Sequence, residues 1–308
     1  MSVLVVGSIA YDSIETPTAQ IDETLGGSAV YFSAAASYFV PVNLVAVVGE
    51  DFRFADISFL QQQGVDLNGI TTENGKTFRW KGKYLHDMND RETIYTELNV
   101  FEKFNPILPK NYRDSRFVFL ANINPDLQYN VIRQVKNPLF VAMDTMNFWI
   151  SGTPDELKKT LAVVDALLIN DAEVRQLSGV DNLITGARKI QEMGPQTLVV
   201  KKGEHGALLV HRNNLFFCPA YPVENLFDPT GAGDTFAGGF MGYLSQAGEI
   251  NGRTLRRAMV VATAMASFCV EAFSVERLKA LSKDRIRDRV LKLTDLTRLE
   301  GDENWMEL

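Results

Sequence analysis

The chain has 308 residues, of which 46% are hydrophobic and 22% charged, with a formal net charge of −7. This composition is ordinary for a globular protein with a large core, and the acidic balance argues against a general nucleic-acid-binding surface. No basic leader or long apolar run predicts a secretory signal or a membrane span, so we expect a cytoplasmic protein. Cys218 and Cys269 match no metal spacing and are expected to be reduced core thiols.

Short apolar strands alternate with helices along most of the chain. Strands are predicted at 3–7, 43–48, 117–121, 139–144, 166–170 and 197–202. Helices are predicted near 28–39, 52–63, 126–135, 154–163, 171–178, 184–193, 232–248, 253–272 and 284–299. Apolar strands without alternation, separated by helices, are typical of an α/β fold with a mostly parallel, doubly wound sheet and helices on both faces. Ligands in such sheets bind beyond the carboxyl ends of the strands.

One segment, 76–101, breaks this pattern because its apolar residues recur with period 2 on two arms. Phe78, Trp80 and Tyr84 share a parity on the first arm, and a turn-like HDMND separates it from the second. This pattern predicts a β-hairpin. We expect a β insertion over roughly 74–103, with 13–25 as a further contributor, within a single domain over 1–308.

Two interpretations of this hairpin stay open. It is either a surface insertion that packs on the core or a small β lid whose apolar face closes over a ligand. Its free edge would also invite pairing with a second copy of the chain, which would give a homodimer through the lid.

The segment FDPTGAGDTFAGGFMGYL, residues 227–244, places glycines and one acid where a helix is predicted to begin. Thr230 is expected to be the N-terminal cap of that helix, after the extended Asp-Pro pair. The amides of Gly231, Ala232 and Gly233 carry almost no side chain, and together with the helix dipole they predict an anion site.

Asp234 then falls in the first turn of the predicted helix, and two interpretations follow. A carboxylate there is favourable simply as part of a helix terminus. Beside phosphate-binding amides, however, an acid suggests a base that takes a proton from a hydroxyl attacking phosphorus. The pairing points to phosphoryl transfer to an alcohol. P-loop, dinucleotide-binding and protein-kinase motifs are absent from the sequence.

These segments resemble the ribokinase-like (PfkB) family of carbohydrate and nucleoside kinases over about residues 3–275. DPTGAGDTFAGGF is similar to the family's C-terminal signature, GGSAVYFSAAAS to its double-glycine signature, and LLINDAEVRQLSG to its magnesium–phosphate segment. VVKKGEHGALLV resembles the strand–turn–strand before the nucleotide pocket. The resemblance implies an α/β core with a β lid, ATP and Mg²⁺ as cofactors, and Asp234 as the catalytic base.

On the substrate side, the resemblance implies roles for four residues. Asp12 would hydrogen-bond two sugar hydroxyls, and the backbone of Gly26 and Gly27 would meet substrate hydroxyls. Tyr31 would add an aromatic surface where ribokinases carry an asparagine. The structural alternatives are a turn aspartate for Asp12 and tight helix-to-sheet packing for the two glycines.

On the nucleotide side, Asn170 and Glu173 would organise the magnesium–phosphate region, with Glu173 reaching the metal largely through water. Lys201, Gly203 and Thr230 would contact the nucleotide. The alternatives are a helix cap with a first-turn acid for the first pair, and an exposed charge for Lys201. The segment AFSVERLK lacks the glycine-rich turn that helps hold a monovalent cation in several family members, which argues against potassium activation.

The expected function is ATP-dependent phosphorylation of a hydroxyl on a small sugar, polyol or nucleoside. Aromatic residues near the expected substrate site suit stacking of a base, so a nucleoside kinase is the first alternative to a sugar kinase. A ligand sensor that keeps the fold without turnover is a remote second alternative.

Overall fold

A computed structural model describes residues 1–86, 88 and 91–298. Its strands are β1 (Val3–Val6), β2 (Ala10–Glu15), β3 (Gln20–Gly26), β4 (Val42–Gly49), β5 (Val65–Glu73), β6 (Phe78–Tyr84), β7 (Arg91–Glu97), β8 (Phe117–Leu120), β9 (Phe140–Asp144), β10 (Ala166–Asn170), β11 (Thr197–Lys201), β12 (Ala207–His211) and β13 (Asn214–Cys218). Its helices are α1 (Ser28–Ala36), α2 (Ser58–Gln62), α3 (Pro125–Ile132), α4 (Asn147–Gly152), α5 (Pro154–Leu161), α6 (Asp171–Ser178), α7 (Leu183–Gln191), α8 (Ala232–Ala247), α9 (Gly252–Cys269), α10 (Glu276–Lys279) and α11 (Lys283–Asp295).

A nine-stranded sheet forms the centre of the fold, in the order β13-β12-β11-β10-β9-β8-β1-β4-β5. From β11 to β5 every neighbouring pair is parallel, and β12 and β13 add an antiparallel edge. The chain builds outward from β1 in both directions, so the strand order reverses between β1 and β8. Such a reversal leaves a crevice at the carboxyl ends of the strands, where ligands bind in doubly wound sheets.

Both faces of this sheet are buried, and each carries its own apolar core. One core gathers side chains of α1, α8 and α9, and the other gathers those of α3, α5, α6 and α7. The two faces explain why the central strands are apolar without alternation, since successive side chains point into different cores. The predicted doubly wound α/β fold is confirmed. The helix expected at 52–63 is instead a 3₁₀ turn over Phe54–Ile57 followed by the short α2.

A second, four-stranded sheet, in the order β3-β2-β6-β7, stands beside the main one. The predicted hairpin is its β6–β7 pair, joined in antiparallel register, and β2 pairs with β6 in parallel. Cross-strand ion pairs cover one face of this sheet, joining Arg79 to Glu23 at 2.8 Å and Lys83 to Glu15 at 2.5 Å. We call these four strands the lid sheet. Among the described residues, no helix is long and apolar enough to cross a membrane.

Candidate active site

Polar residues end three neighbouring strands of the main sheet at their carboxyl edge. Asp144 is the last residue of β9, Asn170 of β10 and Lys201 of β11. Because these strands are parallel neighbours, the three side chains lie at one edge of the sheet. This edge is the floor of the candidate site.

The helix α8 begins at Ala232, one residue later than a cap at Thr230 would require. Its N-cap is Gly231, in the left-handed conformation with φ 75°, and no side chain caps the helix. The expectation that Thr230 is the cap is therefore wrong. The amide of Thr230 donates to Asp228 Oδ1 at 2.8 Å. Because this turn includes Thr230, the helix begins one residue later.

The start of α8 exposes amides as predicted, with one exception. The amides of Gly231 and Gly233 have no acceptor among the described residues, but the amide of Ala232 donates to the carbonyl of Pro229 at 3.2 Å. The expectation that all three amides are free is wrong for Ala232. The two remaining glycine amides and the helix dipole still favour an anion.

Lys201 reaches this helix terminus. A Cβ built on Gly233 would lie 2.9 Å from Lys201 Nζ, so the ammonium group lies directly against the glycine. Repulsion by the helix dipole makes this an unfavourable place for a cation alone, and a bound phosphate between the ammonium and the amides would offset it. Lys201 is half-buried, so the alternative of a simply exposed charge does not hold, and its contact with a phosphate stays a prediction.

Asp234 lies in the first turn of α8, close to both charges. Burial raises the pKa of its carboxyl above the ordinary range, while the positive charges of Lys201 and Arg91 lower it. A raised pKa makes the carboxylate a better proton acceptor, as a general base requires.

Asp12 lies on β2 and is 5% exposed. Its pKa is raised to about 7, chiefly by burial and also by the charges of Asp228 and Asp234, while Arg91 and the amide of Gly27 act in the opposite direction. Its carboxylate fills the space beside Gly26, where a Cβ would lie 1.9 Å from Oδ2.

Gly27 has φ 99°, and a Cβ there would lie 2.5 Å from the carbonyl of Ser8. Close packing therefore accounts for both Gly26 and Gly27. A contact of their backbone with substrate stays a prediction.

Tyr31 does not offer the stacking surface expected from the sequence. It is 1% exposed, and its ring lies under Gly231, whose Cβ would come within 2.4 Å of three ring atoms. The ring occupies the space that a side chain at position 231 would need. Tyr31 Oη is buried without a partner among the described residues, and a contact of this residue with substrate stays a prediction.

Asn170 and Glu173 form a capping box at the start of α6. Asn170 Oδ1 accepts from the amide of Glu173 at 2.8 Å, and Glu173 Oε2 accepts from the amide of Asn170 at 3.0 Å. The structural alternative for this pair is therefore realised. The capping box uses one carboxyl oxygen of Glu173. Burial raises the pKa of this carboxyl group, and the positive charge of Lys201 lowers it.

Asp144 is a site residue that our sequence reasoning missed. It is 6% exposed, and its Oδ1 has no hydrogen-bond partner among the described residues. Burial and the charge of Asp234 hold the pKa of its carboxyl well above the usual range, partly opposed by Lys201. An acid at the end of the apolar run FVAMD was the available signal, since a carboxylate is rarely buried without a partner.

A cavity of about 520 Å³ opens beside the start of α8. Its lining includes Lys201, Gly203 and Gly233 together with Ala266 of α9 and Val270, the residue that follows this helix. The lining thus combines a cation and glycine backbone with small and apolar side chains. Such a combination suits a ligand that has both an anionic and an apolar part.

The lid sheet contributes Arg91, the second residue missed in the sequence. Its positive charge lowers the pKa values of Asp12, Glu173 and Asp234, although other groups have larger effects on each. Its guanidinium carbon lies 5.5 Å from the ring centroid of Trp80. The lid strand β7 therefore brings a positive charge close to these three acids.

Comparison with known proteins shows the family of this chain and its fold. The family model described as "pfkB family carbohydrate kinase" matches residues 1–279. A cytidine kinase of Thermococcus kodakarensis is 27% identical over 266 residues, which cover 84% of this chain and 92% of the kinase. An inositol 3-kinase of Arabidopsis thaliana is 23% identical over 98% of this chain and 83% of its own length.

Solved structures share the fold. A putative ribokinase II from E. coli, solved in complex with ATP and Mg²⁺, superposes with a TM-score of 0.75 at 21% identity. The match covers 94% of this chain and 99% of the other. At this identity the likeness concerns the fold.

Proposed function

This chain belongs to the pfkB family of carbohydrate kinases, and we propose that it transfers the γ-phosphoryl group of ATP to a nucleoside hydroxyl with Asp234 as general base. The observation that carries the proposal is the position of Asp234. It lies in the first turn of α8, beside free glycine amides and Lys201 Nζ. Only a reaction that brings a proton donor next to a phosphate uses all three features.

In this mechanism the acceptor lies between the lid sheet and the main sheet. Asp12 accepts hydrogen bonds from its sugar hydroxyls, and Asp234 removes the proton of the attacking hydroxyl as the bond to phosphorus forms. The amides of Gly231 and Gly233, with Lys201 and Arg91, stabilise the negative charge that develops on the phosphoryl oxygens.

The residues at the sheet edge fit a magnesium ion. Asp144 Oδ1 is buried without a partner among the described residues, and Glu173 has one carboxyl oxygen outside the capping box. Hard oxygen ligands of this kind, together with water, suit Mg²⁺. We propose that Asp144 and Glu173 hold the ion, largely through water, where it would neutralise phosphate charge.

A nucleoside acceptor is supported by the cytidine kinase, which is similar over most of its length, and by Trp80 on the lid sheet. Trp80 is the Cα partner of Asp12, so both side chains project from the same face of the lid sheet. An indole beside the hydroxyl-binding acid suits stacking of a base.

The test of the acceptor class is a panel of cytidine, adenosine, inosine, ribose, fructose and myo-inositol at equal concentration with ATP. A kcat/KM at least tenfold higher for nucleosides than for ribose supports the proposal. Higher kcat/KM for myo-inositol would favour a polyol kinase, the second candidate, which is supported by the similarity to the inositol 3-kinase over 98% of this chain. If ATP binds and no acceptor is phosphorylated, the chain is a ligand sensor.

The role of Asp234 is tested by Asp234→Asn. We expect kcat to fall by about 10²–10⁴, the usual contribution of a positioned base, while the Kd for ATP stays within about twofold. Near-wild-type turnover would show that another group accepts the proton.

We further propose that β2, β3, β6 and β7 act as a lid within a single kinase domain, and that β7 pairs with β7 of a second copy. β7 is an edge strand whose seven residues are all exposed, including Ile94 at 54%. Unpaired exposed edges invite such pairing. A sedimentation mass of one chain at micromolar concentration would contradict the dimer.

A cytoplasmic location stays a prediction from the sequence.

A further inference from the structure

A buried side chain of the lid sheet, Tyr84, contacts the turn that leads into α8. This tyrosine is the last residue of β6 and is 4% exposed. Its Oη lies 3.0 Å from Oγ1 of Thr230, the residue just before the N-cap of α8. A hydroxyl of the lid and a hydroxyl of the phosphate-binding turn are thus directly joined.

Arg91 acts on the same phenol. It is the Cα partner of Tyr84 across the hairpin. Burial raises the pKa of Tyr84, whereas the positive charge of Arg91 and the hydrogen bond with Thr230 lower it. A phenol has one proton to donate and lone pairs that accept, while a guanidinium only donates. Tyr84 can therefore accept from Arg91 and donate to Thr230 at the same time.

We propose that Tyr84 is a positioning residue for phosphoryl transfer, which bridges Arg91 and Thr230 and so holds the Arg91 guanidinium over the acceptor hydroxyl and the transferring phosphoryl group. This inference rests on the proposed kinase function. Phosphoryl transfer needs no tyrosine in itself, so the role of Tyr84 is additional to the groups named in the mechanism. Tyr84 need not touch the reacting atoms.

Charge explains why such a bridge is useful. The negative charges of Asp228 and Asp234 destabilise the anion of Asp12 and so raise its pKa. A phosphate adds negative charge to this group, and among the described residues Lys201 and Arg91 are the cations that act on Asp234. Lys201 is held by the rigid main sheet. Arg91 has a long side chain on a lid strand, and fixing it costs conformational entropy unless a neighbour restrains it.

The experiment is a double-mutant cycle with Tyr84→Phe and Arg91→Gln. The phenylalanine keeps the ring and its packing and removes only the hydroxyl. We expect each single variant to lower kcat by about tenfold, and the double variant to be no slower than Arg91→Gln alone, as for two residues that act as one unit. Multiplicative losses in the double variant would overturn the proposal.

A second measurement separates positioning from general loosening of the lid. Asp12 is faced by Asp228 and Asp234 from the core, by the amide of Gly27 from α1, and by Arg91 from the lid. Since Arg91 lowers the pKa of Asp12, its displacement should raise the apparent pKa seen in the acceptor KM. We expect the same upward shift in Tyr84→Phe and Arg91→Gln. An unchanged profile in Tyr84→Phe would refute the bridge.

Two further variants keep the test decisive. Tyr95→Phe removes an equivalent hydroxyl from β7 at a 38% exposed position and should leave kcat and the pH profile unchanged. Thr230→Val removes the other end of the bridge and replaces Tyr84→Phe in the cycle if that variant does not fold. Failure of the proposed function would appear separately, as absence of turnover by the wild-type protein with every acceptor.

Discussion

The buried carboxyl of Asp12 gives a prediction about stability that is independent of any assay of activity. Its pKa is raised from an ordinary 3.8 to about 7, chiefly because burial disfavours the anion. The folded protein therefore holds the proton more tightly than the unfolded chain does. Below pH 3.8 both states are protonated, and between that pH and about 7 folding stability falls as pH rises.

The magnitude follows from the two pKa values. One pH unit over this range corresponds to about 1.4 kcal/mol, so the complete loss is about 4 kcal/mol and the part between pH 5 and pH 8 is about 3 kcal/mol. Asp12→Asn removes the titration. We therefore expect the variant to gain stability relative to wild type, with its free energy of unfolding rising by about 3 kcal/mol against that of wild type from pH 5 to pH 8.

Urea unfolding followed by circular dichroism at the two pH values measures this difference. Groups distant from residue 12 titrate alike in both proteins, so their contributions cancel. Asp114→Asn, at a side chain that is 67% exposed, is the matched control and should change by less than about 0.5 kcal/mol. If the difference between Asp12→Asn and wild type is the same at both pH values, the carboxyl is not destabilised by burial, and our account of the site electrostatics is wrong.

Three further predictions concern the same site. The acceptor KM should fall as pH rises through about 7, because the ionised carboxylate of Asp12 accepts stronger hydrogen bonds from the substrate hydroxyls than the neutral acid does; a KM independent of pH between 6 and 8 would contradict this. Gly231→Ala should destabilise the fold by about 2–4 kcal/mol in thermal or urea unfolding, from its left-handed backbone and from contact with the Tyr31 ring. Gly248→Ala, with φ 71° and only an ordinary contact at 3.4 Å, should cost about 1 kcal/mol, and equal losses would rule out the ring contact. Asp144→Asn should raise the Mg²⁺ concentration for half-maximal activity by about tenfold, in the lower range for loss of a group that orients a metal; an unchanged Mg²⁺ titration would remove Asp144 from the metal site.

Much of the fold follows from local pattern. Apolar runs of five or six residues between helices predict buried parallel strands, and parallel strands bring their carboxyl ends to one edge. The period-2 pattern over 76–101 likewise predicts the hairpin, which the structure confirms as β6–β7. The pairing of β2 and β3 with this hairpin carries no comparable signal, because β2 is buried almost throughout and lacks alternation.

Some features of the site were likewise predicted from local sequence, and others were not. Glycines before a small-faced helix predicted the amide site, and the resemblance assigned Asp234 to it. A cap at Thr230 was wrong because the choice of helix start depends on Asp228, whose carboxylate binds the Thr230 amide. The expected exposure of Tyr31 was also wrong. The sequence around Tyr31 does not indicate that its ring will pack against the distant Gly231.

Sequence alone therefore determined the α/β class, the approximate strands and helices, and the position of an acid at an amide-rich helix start. Each of these depends on residues within a few turns of one another, where periodicity and glycine placement act directly. Only the tertiary structure decided that Asp144 is buried within reach of the charge of Lys201, that Arg91 acts on Asp12, Glu173 and Asp234, and that Tyr84 contacts Thr230. Tyr84 and Thr230 lie 146 positions apart in the chain. Contacts over such distances depend on how two sheets pack, and no local spacing of residues encodes them.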